Sequence, residues 1–506
     1  LGLPSPPPPA VLIVPHHGPI VQAPDAGGKA VSVRWTGQEG NTQDLKAIIG
    51  LNTAADVDAA IAALTDFATG AQNFVLADDQ GHIAYDPHAL VPVRQFADIA
   101  IRGAGVLPPW FPLPGDGTAE WGDGTSNCAS ATATPVPATC WLANAALPQG
   151  KDPAKGYFFT ANADPTFPSV SDDNNPLAHP PYLSFGWDDS TGFRATQIEA
   201  RLEAAIAEGG TVSLAEMESI QADHVSRPGK DFAATIAALP DTNPTVAAAK
   251  AVYAKWAAQG FDCPSGLVGV DPKGAADTTP AVVDASAGCF LFHAFIRTLF
   301  TRVFTDDLRL AGQGVNQLQA MKAMLHMLSL DPLNAATPAK TKFCNDVNST
   351  GTVVSAQTCQ QQVATALATA FTTLSSQVDP DPANWVWGRV HTMQPISLLA
   401  LITTNYEPGP FARPGGAFTV DVATPSTSAV GVNFPFSSSG NVRHISVMDP
   451  AAPVVRMQLP GPERDVPTVV KDPNLLGLWL QNTYFDFAFG AQIDGVAVST
   501  QAFTAN

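Results

Sequence analysis

The sequence predicts a mixed α/β protein. Three observations carry that expectation: short alternating or apolar runs read as strands in the first third of the chain, helical spacing governs its middle, and strand-like runs return from Trp385 onward. The landmark between the first two regions is the stretch 156–194, where an aromatic run, a polar turn and the start of a helix follow one another.

Taken in order, residues 1–9 are a proline-rich lead-in, and Val11–Val14 read as a strand that ends at Pro15-His16-His17-Gly18-Pro19. By chemistry His16 and His17 suit a base or metal ligands. Adjacent residues of a strand face opposite sides, so one packed and one exposed histidine is the expected arrangement. Residues 30–35 alternate like a half-buried strand. Thr53-Ala54-Ala55-Asp56 opens a helix with a capping residue, and Val57, Ile61 and Leu64 give it an apolar face. A hairpin follows, with strands over 72–78 and 82–85 around the turn Asp79-Gln80-Gly81. The proline and glycine density of residues 107–121 excludes a helix or a central strand there and predicts an ordered loop.

Tyr157-Phe158-Phe159-Thr160 reads as a buried strand running into the turn Asn162-Ala163-Asp164-Pro165. A side-chain amide at such a strand end is either a rigidly held hydrogen-bond donor or an Asx-turn residue before Asp-Pro. Arg194 opens an amphipathic helix through Ile198, Leu202 and Ile206. Ser213 and Glu216 form a capping-box signature. Further amphipathic segments fall near 230–239, 245–258, 286–304, 314–329 and 354–375. Asp223-His224 suits half of an acid–base pair, although a structural place in a helix is the favoured reading.

With 506 residues and 45% hydrophobic content, the chain can bury a large core. Its net charge of -19, from 26 basic and 45 acidic residues, argues against nucleic acid or an anionic membrane as partner. No uninterrupted apolar run reaches membrane-spanning length, so no membrane span is expected. Walker, dinucleotide and G-x-S-x-G patterns are missing, and no organic cofactor is expected.

The six cysteines fall in sequential pairs, Cys128 with Cys140, Cys263 with Cys289, and Cys344 with Cys359. None has the short spacing of a metal knuckle. Three local disulfides are the economical reading and free buried cysteines the other; sequence alone does not fix connectivity. Disulfides would place the protein in an oxidising compartment, periplasmic or secreted.

Several strings together resemble the penicillin acylase family of N-terminal-nucleophile hydrolases. They are His17-Gly18-Pro19-Ile20-Val21, Trp35-Thr36-Gly37, the hairpin from Gln72 to Tyr85, the loop 107–121, the turn at Asn162 followed by Arg194, Trp387-Gly388-Arg389-x-His391, Pro414-Gly415-Gly416, and the strand bearing Arg443 and Asp449. The resemblance implies a four-layer αββα fold with a helical excursion. Residues 1–194 would supply core strands and the oxyanion turn, 195–384 a mainly helical segment with disulfide-bounded insertions, and 385–506 the strands completing the core.

The resemblance further implies hydrolysis of the amide bond of a small N-acyl compound of β-lactam, acyl-homoserine lactone or acyl-peptide type. Asn162 would sit in the oxyanion hole, Arg194 would hold it, and Gln72 would line the acyl pocket. Pro109, through its carbonyl, and Asp173 would ligate a structural calcium; Asp172, Asp173 and Asn174 read equally as a solvated acidic turn. The family nucleophile is an N-terminal Ser, Thr or Cys freed by autoproteolytic processing of a precursor. Leu1 is none of these, so the nucleophile-bearing segment and small subunit of the same precursor are expected as partners. A catalytically inactive exported homologue, acting in binding or structure, is the alternative.

Overall fold

The computed structural model describes residues 13–14, 17–38, 43–97, 105, 107, 109, 112–122, 128, 138–162, 192–330, 342–395, 409–426, 431–436, 438–461, 473–488 and 495. Helices and small antiparallel sheets are both present, in two compact units, Leu1–Gly192 and Phe193–Asn506.

In the first unit, β1 (Ile13–Val14), β2 (Gly18–Gln22) and β3 (Val31–Ser32) form a short antiparallel sheet. Helices α1 (Asp44–Thr53) and α2 (Val57–Leu64) follow. Asp56 caps α2 by accepting from the Ala59 N–H at 2.8 Å. Ala47, Leu64 and Phe67 form a small core, joined by Phe74 and Leu76 of β4 (Gln72–Ala77). Strand β4 pairs with β5 (Ile83–His88), whose other edge takes β6 (Gly150–Lys151).

The strand expected over 157–160 is not assigned as a strand, and among the described residues it joins no ladder. Its alternation is nevertheless real: Tyr157 stacks with Phe159 at 6.2 Å, while Phe158 meets Tyr85 at 6.1 Å. Periodicity of two fixes which way side chains point, but only a neighbour with free backbone groups makes a strand.

The second unit is built on helices: α3 (Phe193–Gly209), α4 (Leu214–Gln221), α5 (Arg227–Ala237), α6 (Pro244–Ala258), α7 (Pro280–Leu310), α8 (Gln317–Leu330) and α9 (Cys359–Gln377). Side-chain caps start several of them. Ser213 accepts from Glu216 N–H, and Thr358 and Gln361 form a reciprocal capping box. The 31-residue α7 is the axis of the core, buried without interruption from Ala285 to Ile296 and flanked by α6 and α9. Gly288 allows the close approach of Trp256 from α6, where an added Cβ would overlap the indole. By length and composition α7 could cross a membrane, but 72% of its most apolar window is buried inside the protein, as in a core helix.

All three cysteine pairs lie at disulfide distance, with Cα separations of 5.7 Å for Cys128–Cys140, 5.3 Å for Cys263–Cys289 and 5.1 Å for Cys344–Cys359. The last closes a loop carrying the hairpin β7 (Asp346–Val347) and β8 (Val353–Ser355). Beyond α9, β9 (Thr392–Met393) pairs with β10 (Phe411–Ala412). A second sheet joins β11 (Arg443–Val447), β12 (Val454–Gln458) and β13 (Phe485–Phe487), with α10 (Pro473–Leu480) preceding the last strand.

Candidate active site

The hairpin that carries Gln72 is rigid for identifiable reasons. Asp78 closes it, accepting from the N–H groups of Val57 (3.2 Å), Gln80 (3.0 Å) and His82 (2.9 Å). Burial works to raise its pKa, but the backbone donors outweigh burial and hold the carboxyl below its ordinary value. Gly81 completes the turn at φ 90°, a conformation glycine adopts without strain.

Strand alternation then decides what faces what. Ala84, Asp86 and His88 share one face of β5 and stand opposite Leu76, Phe74 and Gln72 of β4. Gln72 is exposed at the end of this face, directly across from buried His88. His88 donates through Nδ1 to the Phe67 carbonyl at 2.6 Å, and its buried Nε2 has no partner among the described residues. Burial raises the pKa of Asp86, and the nearby His88 offsets part of that rise.

Asn162 is exposed and follows buried Ala161, with its backbone at φ 57°. A non-glycine residue in the left-handed region is uncommon, and asparagine tolerates it best among polar residues. Arg194 belongs to the other unit, as the second residue of α3, and is half-buried. Its neighbour Phe193 is buried edge-to-face on Phe418, with centroids 5.2 Å apart, which anchors the start of the helix. Pro109 is half-buried, and Asp173 lies outside the described residues. Gln72, Pro109 and Asn162 thus share the first unit.

The histidines noted in the sequence have separate duties. His17 is half-buried with Nε2 2.8 Å from Glu120, whereas His16 lies outside the described residues. Asp223 and His224 do not form a pair with each other. Asp223 accepts from Gln197 (2.9 Å), Arg201 (2.7 Å) and the Val225 N–H (3.0 Å), tying α3 to the end of α4. His224 faces Asp262 at 2.5 Å; burial opposes its charge, but this carboxylate outweighs burial and lifts the imidazole pKa above its ordinary value.

Two constellations were not foreseen. His293, Trp387, His391 and Phe436 form a buried stack with centroid spacings of 4.5, 4.5 and 4.6 Å. Arg413, Arg443 and Asp421 form a buried ion cluster. Arg443 and Asp449, expected on one strand, act apart: Arg443 bonds Asp421, while Asp449 caps a turn by accepting from Ala451 N–H at 2.8 Å. The pattern W-G-x-x-H was a visible signal for the stack; the ion cluster had none, because its partners converge from distant segments.

A comparison with curated protein sequences gives no match. The hairpin, the loop and turn around Pro109 and Asn162, and the tryptophan–histidine stack all fall within residues 6–493, which match the penicillin amidase family model, and the chain accordingly belongs to the penicillin amidase family of amide hydrolases.

Proposed function

We propose that this chain carries the oxyanion-stabilising part of a hydrolase that cleaves the amide bond of a small N-acyl compound. The nucleophile is an N-terminal Ser, Thr or Cys on an upstream or partner segment released by processing. Its own α-amino group, with an ordinary pKa near neutrality, takes the nucleophile's proton. Attack on the scissile carbonyl places negative charge on oxygen, and the Asn162 side-chain amide donates to that oxyanion. Gln72 borders the acyl group. The observation that carries this reading is the left-handed backbone of Asn162 within a chain of the penicillin amidase family. Backbone held in a sparsely populated region suits a side chain whose aim is fixed before substrate arrives.

The same reading includes the four-layer αββα core and an exported location, the latter supported by the three cysteine pairs. A carbonyl at Pro109 and a carboxylate at Asp173 are hard oxygen donors of the kind calcium takes. An ion held there would serve structure.

The test uses the processed enzyme and a chromogenic N-acyl anilide. Asn162→Ala is expected to lower kcat by about 100- to 1000-fold with little change in KM, as for loss of one oxyanion donor. Asn162→Gly separates the two roles of this residue, because glycine accepts φ 57° freely and supplies no amide. Equal loss in both variants supports the donor role. Full activity in Asn162→Gly would reduce Asn162 to a turn residue. N-terminal sequencing of the native preparation decides the wider question: without a co-purifying chain that begins with Ser, Thr or Cys, the inactive binding homologue is the better account.

A further inference from the structure

A cavity in the second unit is lined by a cation, Arg297, and by no acid among the described residues. Helix α7 directs Arg297, Phe300 and Thr301 toward it, and Val315, Gln317 and Phe434 help close a volume of about 100 Å³. By this measure a single water needs about 10–15 Å³, so the space admits a small organic molecule. No carboxylate is among the described residues that line it. That is notable in a chain with 45 acidic residues against 26 basic ones.

The guanidinium is fixed, and the fixing leaves one edge unused. Arg297 donates both Nη1 protons to backbone carbonyls, those of Gly431 at 2.9 Å and Asn433 at 3.0 Å. Its plane lies over the Phe434 ring, with Cζ 3.7 Å from the centroid. The Nε–H and Nη2 edge has no hydrogen-bond or ion-pair partner among the described residues. This edge is the one that presents two parallel N–H groups at the spacing of a carboxylate's oxygens. Burial lowers the Arg297 pKa to about 10, which still leaves a full charge at neutral pH. His293 beside it is held neutral by burial, its pKa pushed down to about 3, and adds no competing charge.

We propose that this cavity is a binding site for a small monocarboxylate with a short apolar chain, of propionate or butyrate size. The carboxylate takes the free edge of Arg297 bidentately, and the alkyl chain lies against Phe300, Val315 and Phe434. Phe300, Val315 and Phe434 offer an alkyl chain an apolar surface that an inorganic anion would leave unused, while Thr301 and Gln317 supply the polar part of the lining. A guanidinium already oriented by two carbonyls and an aromatic face loses little freedom on binding.

Calorimetric titration of the intact protein with butyrate tests the site, alongside butyramide and inorganic phosphate as probes. Saturable binding of butyrate with a dissociation constant on the order of 1 mM is expected. Arg297→Met should weaken it by about 30-fold, the loss of a charge-assisted bidentate pair. Arg297→Met also removes two carbonyl contacts, so Val315→Phe serves as the second variant: it fills the cavity, leaves Arg297 in place, and should abolish binding without lowering the melting temperature appreciably. Absence of saturable binding, retention within twofold in both variants, or equal affinity for butyramide would overturn the proposal. Phosphate binding as tightly as butyrate would overturn the choice of an organic acid. The measurement involves no turnover, so its outcome is independent of whether the chain serves an amide hydrolase.

Discussion

Asp421→Asn is expected to destabilise the second unit by about 3–5 kcal/mol, the cost of leaving buried charge unpaired. The side chain of Asp421 is 1% exposed and receives Arg413 at 3.1 Å, Arg443, and the Asn482 amide at 2.9 Å. Arg413 is equally buried. It donates to the Trp479 and Leu480 carbonyls at 3.0 and 2.7 Å, and its guanidinium lies 4.4 Å from the Trp479 ring centroid. Arg443 adds a 2.6 Å bond to Gln458. One carboxylate therefore serves two buried guanidinium groups and ties the glycine turn at 415–416 to β11 and to the end of α10. Burial has already lowered the Arg413 pKa to about 10. An asparagine keeps the shape and removes the one countercharge that the two arginines share among the described residues. Urea unfolding followed by tryptophan fluorescence reads the loss directly, because Trp479 sits in the cluster. Adding Arg413→Met to Asp421→Asn should recover part of the stability, since one unpaired charge then goes. A loss below about 1 kcal/mol would show that water or rearrangement solvates the arginines and that the cluster is not the lock it resembles.

What the sequence disclosed was local, and what it hid was the meeting of distant parts. The hairpin was legible because alternation and a Gly81 turn lie within one short window, and it forms as β4 and β5. The helices near 245–258 and 354–375 were legible from spacing, appearing at Pro244–Ala258 and Cys359–Gln377. Helix α1 carries Leu45, Ile48 and Ile49 at helical spacing, but these three are exposed and Ala47 is the residue it buries, so the apolar stripe does not mark its packed face. The run 157–160 has strand chemistry, yet among the described residues it is not part of a ladder, and pairing is a property of two segments that one segment's sequence does not carry. The buried ion cluster was illegible for the same reason: Asp421 meets residues 8, 22 and 61 positions away. Around the proposed oxyanion turn the motif was readable at Asn162, whereas its left-handed backbone was not, since asparagine occupies both halves of the map. Arg297 stayed hidden because its significance lies in an edge without a partner among the described residues, which only packing reveals.

The buried aromatic stack leads to the second large effect, a steep loss of stability in acid. His293 donates through Nδ1 to the Cys289 carbonyl at 2.9 Å and accepts from the Ala417 N–H at 3.0 Å through Nε2, so the neutral ring satisfies both partners. His391 faces two carbonyls at 2.8 Å, from Arg413 and Ala423, and the neutral ring donates to one of them. Burial is the main cause that depresses both pKa values, to about 3 for His293 and about 4 for His391, from 6.5. Between pH 6.5 and the depressed values the unfolded chain binds protons that the folded chain refuses, so stability falls as pH falls. Each ring contributes a slope of about 1.4 kcal/mol per pH unit, and on the order of 3 kcal/mol in all. Thermal unfolding between pH 6.5 and 5 keeps ordinary carboxylates mostly out of the transition; His224, whose raised pKa gives a slope of opposite sign there, is common to parent and variants and cancels in their comparison. His293→Gln and His391→Gln should each be less stable than the parent at pH 7 and yet show about half its slope in acid. A slope that neither variant reduces would mean that the rings accept protons in the folded state, with the imidazolium of His391 then donating to both carbonyls. In that case the stack of His391 between Trp387 and Phe436 holds a buried cation between aromatic faces, and the stability of the core in acid rests on that contact.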